Sequence, residues 1–242
     1  MTTLAQAPDV SRLTDALAGR RRIAQKVRMS EEKNQTSQET RWWWIRHAPV
    51  TSYTGRIYGQ LDVAANFDST DVAIKALSSA LPDAPVLIAS DLHRASETAA
   101  RIGEAGVEWL RCEQEPAFRE QHFGKWQGLS TNVFSELRDT LPPSGWVAPA
   151  FERPPDGESF ADVVGRVVPA VIHHTAENTG HDIVAVAHGG SIRAALSYAL
   201  GLGAETALSF SLENLSLTRL DHIAMNEDGG VWRIVCINRV FS

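Results

Sequence analysis

The sequence predicts an α/β fold, a three-layer sandwich in which a mostly parallel central sheet is flanked by helices. Three short apolar runs, 42–45, 85–90 and 182–188, are each bounded by polar or turn residues. Such runs are typical of strands that are buried on both faces of a parallel sheet. Stretches of helical periodicity separate them, as expected of a phosphoglycerate mutase-like sandwich built from alternating strands and helices.

Two helices and a hairpin are predicted in the second half of the chain. Apolar residues recur at helical spacing from Phe160 to Ile172, where Pro169 predicts a kink, and again from Ile192 to Leu200, where Gly201 ends the pattern. The β-rich runs "LSLTRLD" and "VWRIVCI" flank the turn "NEDGG". This arrangement predicts a closing antiparallel hairpin.

The first forty residues differ from the rest, so we expect a flexible N-terminal extension over residues 1–40 and one domain over residues 41–242. Residues 9–28 have the pattern of a basic amphipathic helix, and residues 29–40 are polar and turn-like. A docking or targeting helix, a loose tail, and a start codon placed too early, with Met29 as the true start, are the alternatives.

Composition excludes several function classes. The 242 residues carry a formal net charge of −6, whereas binding to nucleic acid or to an anionic membrane needs a basic surface. The chain has no apolar run of about 18 residues and no signal-peptide core, so we expect a cytoplasmic protein, monomer or homodimer. The cysteines, Cys112 and Cys236, form no CxxC pair and are expected to be reduced thiols.

Polar side chains follow each of the three predicted strands. Arg46 and His47 follow the first, Arg94 lies in the first turn of the helix after the second, and His188 with Gly189 follows the third. Because the carboxyl ends of parallel strands meet at one edge, where helix N-termini offer free amides, these groups should converge there. Two guanidiniums and two imidazoles predict a pocket for a compact dianion, and phosphate is the natural one.

Each of these residues taken singly has an ordinary structural explanation. The Arg46-His47 pair fits a solvated strand end, His188 fits a tight turn, and Glu120, in "FREQHFGKWQG", fits a surface charge. Their joint occurrence at three strand ends favours a site. A zinc hydrolase is weakly supported, since His173-His174 has no HExxH spacing and is expected on the exposed side of its helix.

Five ordered motifs carry a resemblance to a known family. They are Arg46-His47, "SDLHRASETA" at 90–99, "FREQHFGKWQG" at 118–128, "PDGESFADVVGRV" at 155–167 and "AHGGSIRA" at 187–194. From about Trp42 to the C-terminus the chain resembles the histidine phosphatase superfamily, also called the phosphoglycerate mutase-like family. The resemblance implies that His47 becomes phosphohistidine and that Glu120 is the general acid and base. The phosphate-binding residues that it implies are Arg46, Arg94, His188 and Gly189.

The residue types suit this chemistry. A neutral imidazole attacks phosphorus, and two guanidiniums stabilise the transition state and lower the imidazole pKa. We therefore expect a metal-independent phosphomonoester hydrolase that uses no cofactor, with a small-molecule phosphomonoester as its partner. A phosphoglycerate mutase-type phosphotransferase is the alternative, although about 200 residues leave little room for the insertions of mutases. A non-catalytic phospho-ligand-binding protein is the other.

The sequence departs from the family pattern after the nucleophile. Ala48 and Pro49 replace the usual glycine and acidic residue, and the common phosphate-contacting asparagine is absent, with Tyr53 near its position. The stretch "GRIYGQLDVAA" at 55–65 resembles an α-ribazole phosphatase-like subgroup, which implies α-ribazole 5′-phosphate as substrate and a role in cobalamin biosynthesis. Residues 129–154 have the pattern of a helix followed by a Pro-rich loop, which can cover the site as a lid. For Phe134, Leu137 and Trp146 the alternatives are packing within the protein, which is favoured, and contact with an apolar leaving group.

Overall fold

A single mixed sheet organises the part of the chain that the computed structural model describes, residues 39–136, 146–225 and 230–241. Its six strands are β1 (Glu39–Arg46), β2 (Val86–Ala89), β3 (Arg111–Gln114), β4 (Asp182–Ala187), β5 (Leu217–Ile223) and β6 (Val231–Arg239). The order across the sheet is β3-β2-β4-β1-β5-β6. The first four are parallel, β5 is antiparallel to β1, and β6 pairs with β5 as the predicted hairpin.

Helices cover both faces of this sheet, which confirms the predicted three-layer sandwich. They are α1 (Asp71–Ala80), α2 (His93–Glu104), α3 (Thr131–Glu136), α4 (Phe160–Glu177), α5 (Gly189–Leu200) and α6 (Ala204–Ala207). Helix α4 begins with a reciprocal capping box between Ser159 and Asp162 and continues through Pro169 to Glu177. Helix α5 ends where predicted, because Gly201 adopts the left-handed conformation, with φ of 63°.

The tryptophan-rich strand β1 lies in the centre of the sheet and supports both layers. Trp42 and Trp44 are fully buried and stack 5.1 Å apart on the face covered by α4 and α5. Ile45 points to the other face and packs with residues of α1 and α2. Because alternate side chains of a strand point to opposite faces, one short run supplies apolar anchors to both halves of the core. The strand is therefore held rigidly where it ends at Arg46.

The predictions for the N-terminal extension, the cysteines and a membrane span can be compared with the described residues only in part. Residues 1–38 lie outside the described residues, so the predicted extension stays a prediction, while β1 already begins at Glu39. Both cysteines are free: Cys112 lies on the edge strand β3 and Cys236 on the opposite edge strand β6. None of the described helices has the length and apolarity needed to cross a membrane.

The prediction that His173 and His174 share the exposed side of their helix is wrong for His174. His173 is exposed, but His174 is buried, and its Nε2 lies 2.9 Å from Glu115 Oε2. The reason is geometric, because consecutive residues of an α-helix point about 100° apart and do not share a face.

Candidate functional site

The predicted site residues meet at the carboxyl edge of the parallel strands. His47 follows β1, Arg94 lies in the first turn of α2, and His188 is the residue between β4 and α5. The His47 and His188 rings lie 5.0 Å apart, and Arg94 Nε lies 3.3 Å from His47 Nε2. Glu120, in the loop that follows β3, reaches the same edge by accepting from the first turn of α5. Two imidazoles, a guanidinium and a carboxylate thus converge on one small region.

The tautomer of His47 follows from its two hydrogen bonds. Nδ1 lies 2.7 Å from the carbonyl oxygen of Ala48, which can only accept, so Nδ1 carries the proton. Arg94 Nε donates to Nε2, which must then offer a lone pair. Nε2 is therefore an unprotonated nitrogen held beside a guanidinium, which is the form that a nucleophile needs.

Burial keeps both site histidines neutral. The pKa of His47 lies well below its usual value, first because the ring is desolvated and second because Arg94 and Arg46 are close. The pKa of His188 is lowered for the same first reason, with Arg94 and His47 as the next causes. The sequence predicted that the guanidiniums would depress the nucleophile's pKa, and the structure adds burial as the larger cause.

The stretch "YGQLD" builds a cradle for Arg94. Arg94 Nη2 donates to the Gly59 carbonyl at 2.6 Å, Nη1 donates to the Leu61 carbonyl at 3.0 Å, and the guanidinium lies 5.0 Å from the centre of the Tyr58 ring. Asp62 Oδ1 accepts from the backbone amide of His93, so the same stretch also anchors the start of α2. The sequence analysis connected residues 55–65 with the choice of substrate. In the structure, residues of this stretch hold the guanidinium of Arg94 in position beside His47.

Glu120 is held by backbone amides. Gly190 N donates to Oε1 at 3.0 Å, and Gln121 N donates to the same oxygen at 2.9 Å. Gly190 lies in the first turn of α5, where backbone amides have no acceptor within the helix and can donate to a side-chain oxygen. The loop itself is braced by Arg166, which pairs with both oxygens of Glu158 and donates to the Glu120 carbonyl at 3.0 Å. The sequence did not single out Arg166 or Glu158.

Two buried nitrogens at the site have no hydrogen-bond partner within the described ranges, namely Arg46 Nε and His188 Nδ1. His188 Nε2 instead lies 2.8 Å from Ser90 Oγ, at the end of β2. A methyl group placed on Gly189 would lie 3.8 Å from both Arg46 Nε and Glu120 Oε2, which puts these groups beside the start of α5. Unpaired buried donors are costly, so their presence points to a ligand with several acceptor oxygens.

The departures from the family pattern fit the structure without distortion. Ala48 is buried in a small apolar cluster with Ile74 and Leu215, and its amide donates to Thr98 Oγ1 at 2.9 Å. It does not take a positive φ, so nothing in its conformation demands glycine. Asn214, in the loop before β5, donates from Nδ2 to the His47 carbonyl at 2.8 Å and so holds the backbone of His47 in place.

The predicted lid residues have different positions. Phe134 is buried, and its ring contacts the tilted ring of Trp126 at 5.0 Å between ring centres, so it packs within the protein. Trp146 lies under the guanidinium of Arg193, 4.3 Å from the centre of its ring. Leu137 lies outside the described residues. Arg193 is a site residue that sequence reasoning missed, although its place in the helix that begins directly after His188 was a usable signal.

Comparison with known proteins matches most of this chain to one family. The model of the histidine phosphatase superfamily (branch 1) matches residues 42–239. A glucosyl-3-phosphoglycerate phosphatase of Mycolicibacterium vanbaalenii is 32% identical over 167 residues, 65% of this chain and 73% of the relative. A 2,3-bisphosphoglycerate-dependent phosphoglycerate mutase of Methylorubrum populi is 31% identical over 133 residues, 52% of this chain and 61% of the relative.

A solved structure shows the same fold. The native structure of a mycobacterial glucosyl-3-phosphoglycerate phosphatase superposes with a TM-score of 0.71 and 27% identity, over 83% of this chain and 99% of that one. Because the family model matches residues 42–239, which is most of the chain, this chain belongs to the histidine phosphatase superfamily, branch 1.

Proposed function

We propose that this protein is a phosphomonoester hydrolase that acts through a phosphohistidine intermediate at His47 on a small phosphorylated metabolite. One observation carries the proposal. His47 Nε2, which bears a lone pair, lies 3.3 Å from Arg94 Nε, and the Ala48 carbonyl holds the ring proton on Nδ1. A neutral nucleophile beside a guanidinium is arranged to receive a phosphoryl group.

In the first step His47 Nε2 attacks phosphorus, and the bond between phosphorus and the ester oxygen breaks. The electron pair goes to the ester oxygen, which takes a proton from Glu120. The free Nε of Arg46 and the guanidinium of Arg94 stabilise the equatorial oxygens. With the Ser90 hydroxyl donating to His188 Nε2, the ring proton of His188 is on the unpaired Nδ1, which donates a hydrogen bond to the same oxygens.

In the second step water replaces the alcohol. The Glu120 carboxylate, held by the amides of Gly190 and Gln121, takes a proton from a water molecule as its oxygen attacks phosphorus. The bond to His47 Nε2 breaks, inorganic phosphate leaves, and both residues return to their starting protonation states. Neither of these two reaction steps requires a metal ion or an organic cofactor.

Hydrolysis is favoured over transfer to a second metabolite. The relative that matches the larger share of this chain is named a phosphatase, whereas the mutase from Methylorubrum populi matches 52% of it. The names of these relatives do not support α-ribazole 5′-phosphate, so that ester enters the test as one member of a panel. A non-catalytic ligand-binding role accounts less well for Glu120, which a binding site for a phosphate dianion would not place beside the phosphate.

Phosphate release from a panel of phosphomonoesters tests the proposal. The panel contains glucosyl-3-phosphoglycerate, 3-phosphoglycerate, phosphoserine and α-ribazole 5′-phosphate, each with and without a chelator. Wild type should release phosphate and form an acid-labile phosphoenzyme, and His47→Ala should do neither. Wild type no faster than His47→Ala on every ester would overturn the proposal, and efficient transfer to 3-phosphoglycerate instead of water would favour the mutase.

A further inference from the structure

Arg193 lies beside the catalytic groups but has no part in the steps above. It projects from α5, and a methyl group placed on Gly189 would lie 2.9 Å from its Nη1 and 3.8 Å from Glu120 Oε2. Since the acid must reach the ester oxygen directly, Glu120 marks the side of the pocket where the alcohol portion of the substrate leaves. Arg193 therefore lies on the Glu120 side of the site, which the proposed mechanism assigns to the leaving group.

The guanidinium of Arg193 is held in a fixed plane. Its Nε donates to the Phe210 carbonyl at 2.9 Å, and its face stacks on the ring of Trp146 at 4.3 Å. Trp146 is itself oriented, because its Nε1 donates to Gln121 Oε1 at 3.2 Å. Within the ranges that the structure describes, neither Nη atom of Arg193 has a hydrogen-bond acceptor, so this edge is open for a ligand.

From this geometry we propose that Arg193, stacked on Trp146, binds a carboxylate on the leaving group, so that the substrate is the phosphate ester of a small hydroxy acid. The planar edge formed by Nη1 and Nη2 matches a carboxylate in a bidentate pair. This inference rests on the proposed hydrolase function and names the class of ester that the same site takes.

The charges around Arg193 agree with this assignment. Burial lowers its pKa to about 10, which leaves it charged at neutral pH, with Glu120 as its acidic neighbour and Arg46 as its basic one. When Glu120 carries the proton that it donates to the leaving group, Arg193 loses its anionic neighbour. A carboxylate on the substrate then supplies the missing negative charge, and the dianionic phosphoryl group is left to Arg46 and Arg94.

Two pairs of substrates isolate the carboxylate. Glycerol 3-phosphate replaces the carboxylate of 3-phosphoglycerate by a hydroxymethyl group, and phosphoethanolamine is phosphoserine without its carboxylate. For wild type, kcat/KM should be higher for the acid of each pair. In Arg193→Gln this preference should fall by about 10- to 100-fold, mainly through KM, and Arg193→Lys should restore part of it. The matched control is Arg153→Gln, which removes an exposed arginine paired with Asp162 and should keep the wild-type preference.

The outcomes separate this inference from the proposed function. If Arg193→Gln lowers kcat/KM equally for both members of each pair, the carboxylate assignment is overturned, and Arg193 instead acts on Glu120 or on the phosphoryl group. An unchanged preference would overturn it as well. If wild type hydrolyses none of the four esters, calorimetric titration of the same esters reports the preference directly. Tighter binding of the acids that is lost in Arg193→Gln would then support the inference while the hydrolase proposal fails.

Discussion

The backbone amide of Gly190 donates to Glu120 Oε1 at 3.0 Å, and a methyl group on Gly190 would lie 2.2 Å from the same oxygen. The approach is closer than any Cβ tolerates, so the carboxylate occupies space that only glycine leaves open. The first turn of α5 and the loop after β3 are thereby matched to each other at the candidate acid.

Gly190→Ala should displace Glu120 and lower kcat by about 10²-fold, because a shift of about 1 Å in a catalytic group costs this much. The fold should persist, since the carboxylate is at the flexible end of its side chain. Steady-state kinetics together with thermal unfolding measures both effects. An unchanged kcat would show that the position of Glu120 is not critical.

Gly165→Ala is the matched control for that variant. Gly165 is an exposed residue inside α4, and no atom lies within 4 Å of a methyl group placed on it. The substitution should leave kcat unchanged and stabilise the protein by about 0.5–1 kcal/mol, because alanine loses less backbone entropy than glycine in a helix. Denaturant titration checks the free energy of unfolding.

Glu120→Gln should show a dependence on the leaving group. Without a proton donor, kcat/KM for an alkyl phosphate should fall by about 10²–10⁴-fold, the usual contribution of a positioned acid. p-Nitrophenyl phosphate, whose phenolate leaves without a proton, should lose much less in the phosphorylation step. Single-turnover kinetics on both esters tests this, and equal losses would contradict a role for Glu120 as general acid.

The two stacked tryptophans should differ in their tolerance of phenylalanine. Trp42 Nε1 donates to Thr175 Oγ1 at 3.0 Å, whereas Trp44 Nε1 has no acceptor among residues 39–136, 146–225 and 230–241. Trp42→Phe should therefore cost about 0.5–1.5 kcal/mol more than Trp44→Phe, which is the net value of a buried hydrogen bond. The free energies of unfolding from urea titrations decide it, and a larger cost for Trp44→Phe would contradict the assignment.

Acid should destabilise the protein through the two buried histidines of the candidate site, His47 and His188. Burial and the nearby guanidiniums lower the pKa of His47 and of His188, so below the ordinary histidine pKa the unfolded chain binds more protons than the folded one. The free energy of unfolding should thus be greatest above about pH 6.5 and should fall by about 1.4 kcal/mol per pH unit for each histidine as the pH decreases. The loss ends at the pKa of each folded residue.

Urea titrations between about pH 7 and pH 5 test this dependence. The double variant His47→Gln/His188→Gln should lose most of the slope, and each single variant should lose about half of it. A wild-type slope in the double variant would show that other groups carry the acid sensitivity.

The fold and the centre of the site could be predicted from the sequence because their signals are local. Short apolar runs identified β1, β2 and β4, and the polar residues at the ends of these strands follow the chain directly into the site. The hairpin of β5 and β6 followed from two β-rich runs around a turn. The exposed side assigned to His174 was wrong because the sequence does not show which helix face β3 and its loop cover.

The sequence by itself therefore determined the sheet, the order of its motifs, and the convergence of His47, Arg94 and His188 at its carboxyl edge. Only the tertiary structure decided that the backbone carbonyls of Gly59 and Leu61 orient the guanidinium of Arg94. It also decided that the guanidinium of Arg193 is held by the Phe210 carbonyl and by the ring of Trp146. These contacts join residues that lie about 17 to 47 positions apart in the chain. Three of them use backbone carbonyls, which every residue type has, and the fourth uses the ring of Trp146 in a distant part of the chain. Periodicity reports which face of an element is buried, whereas the partner across the fold depends on how the loops pack.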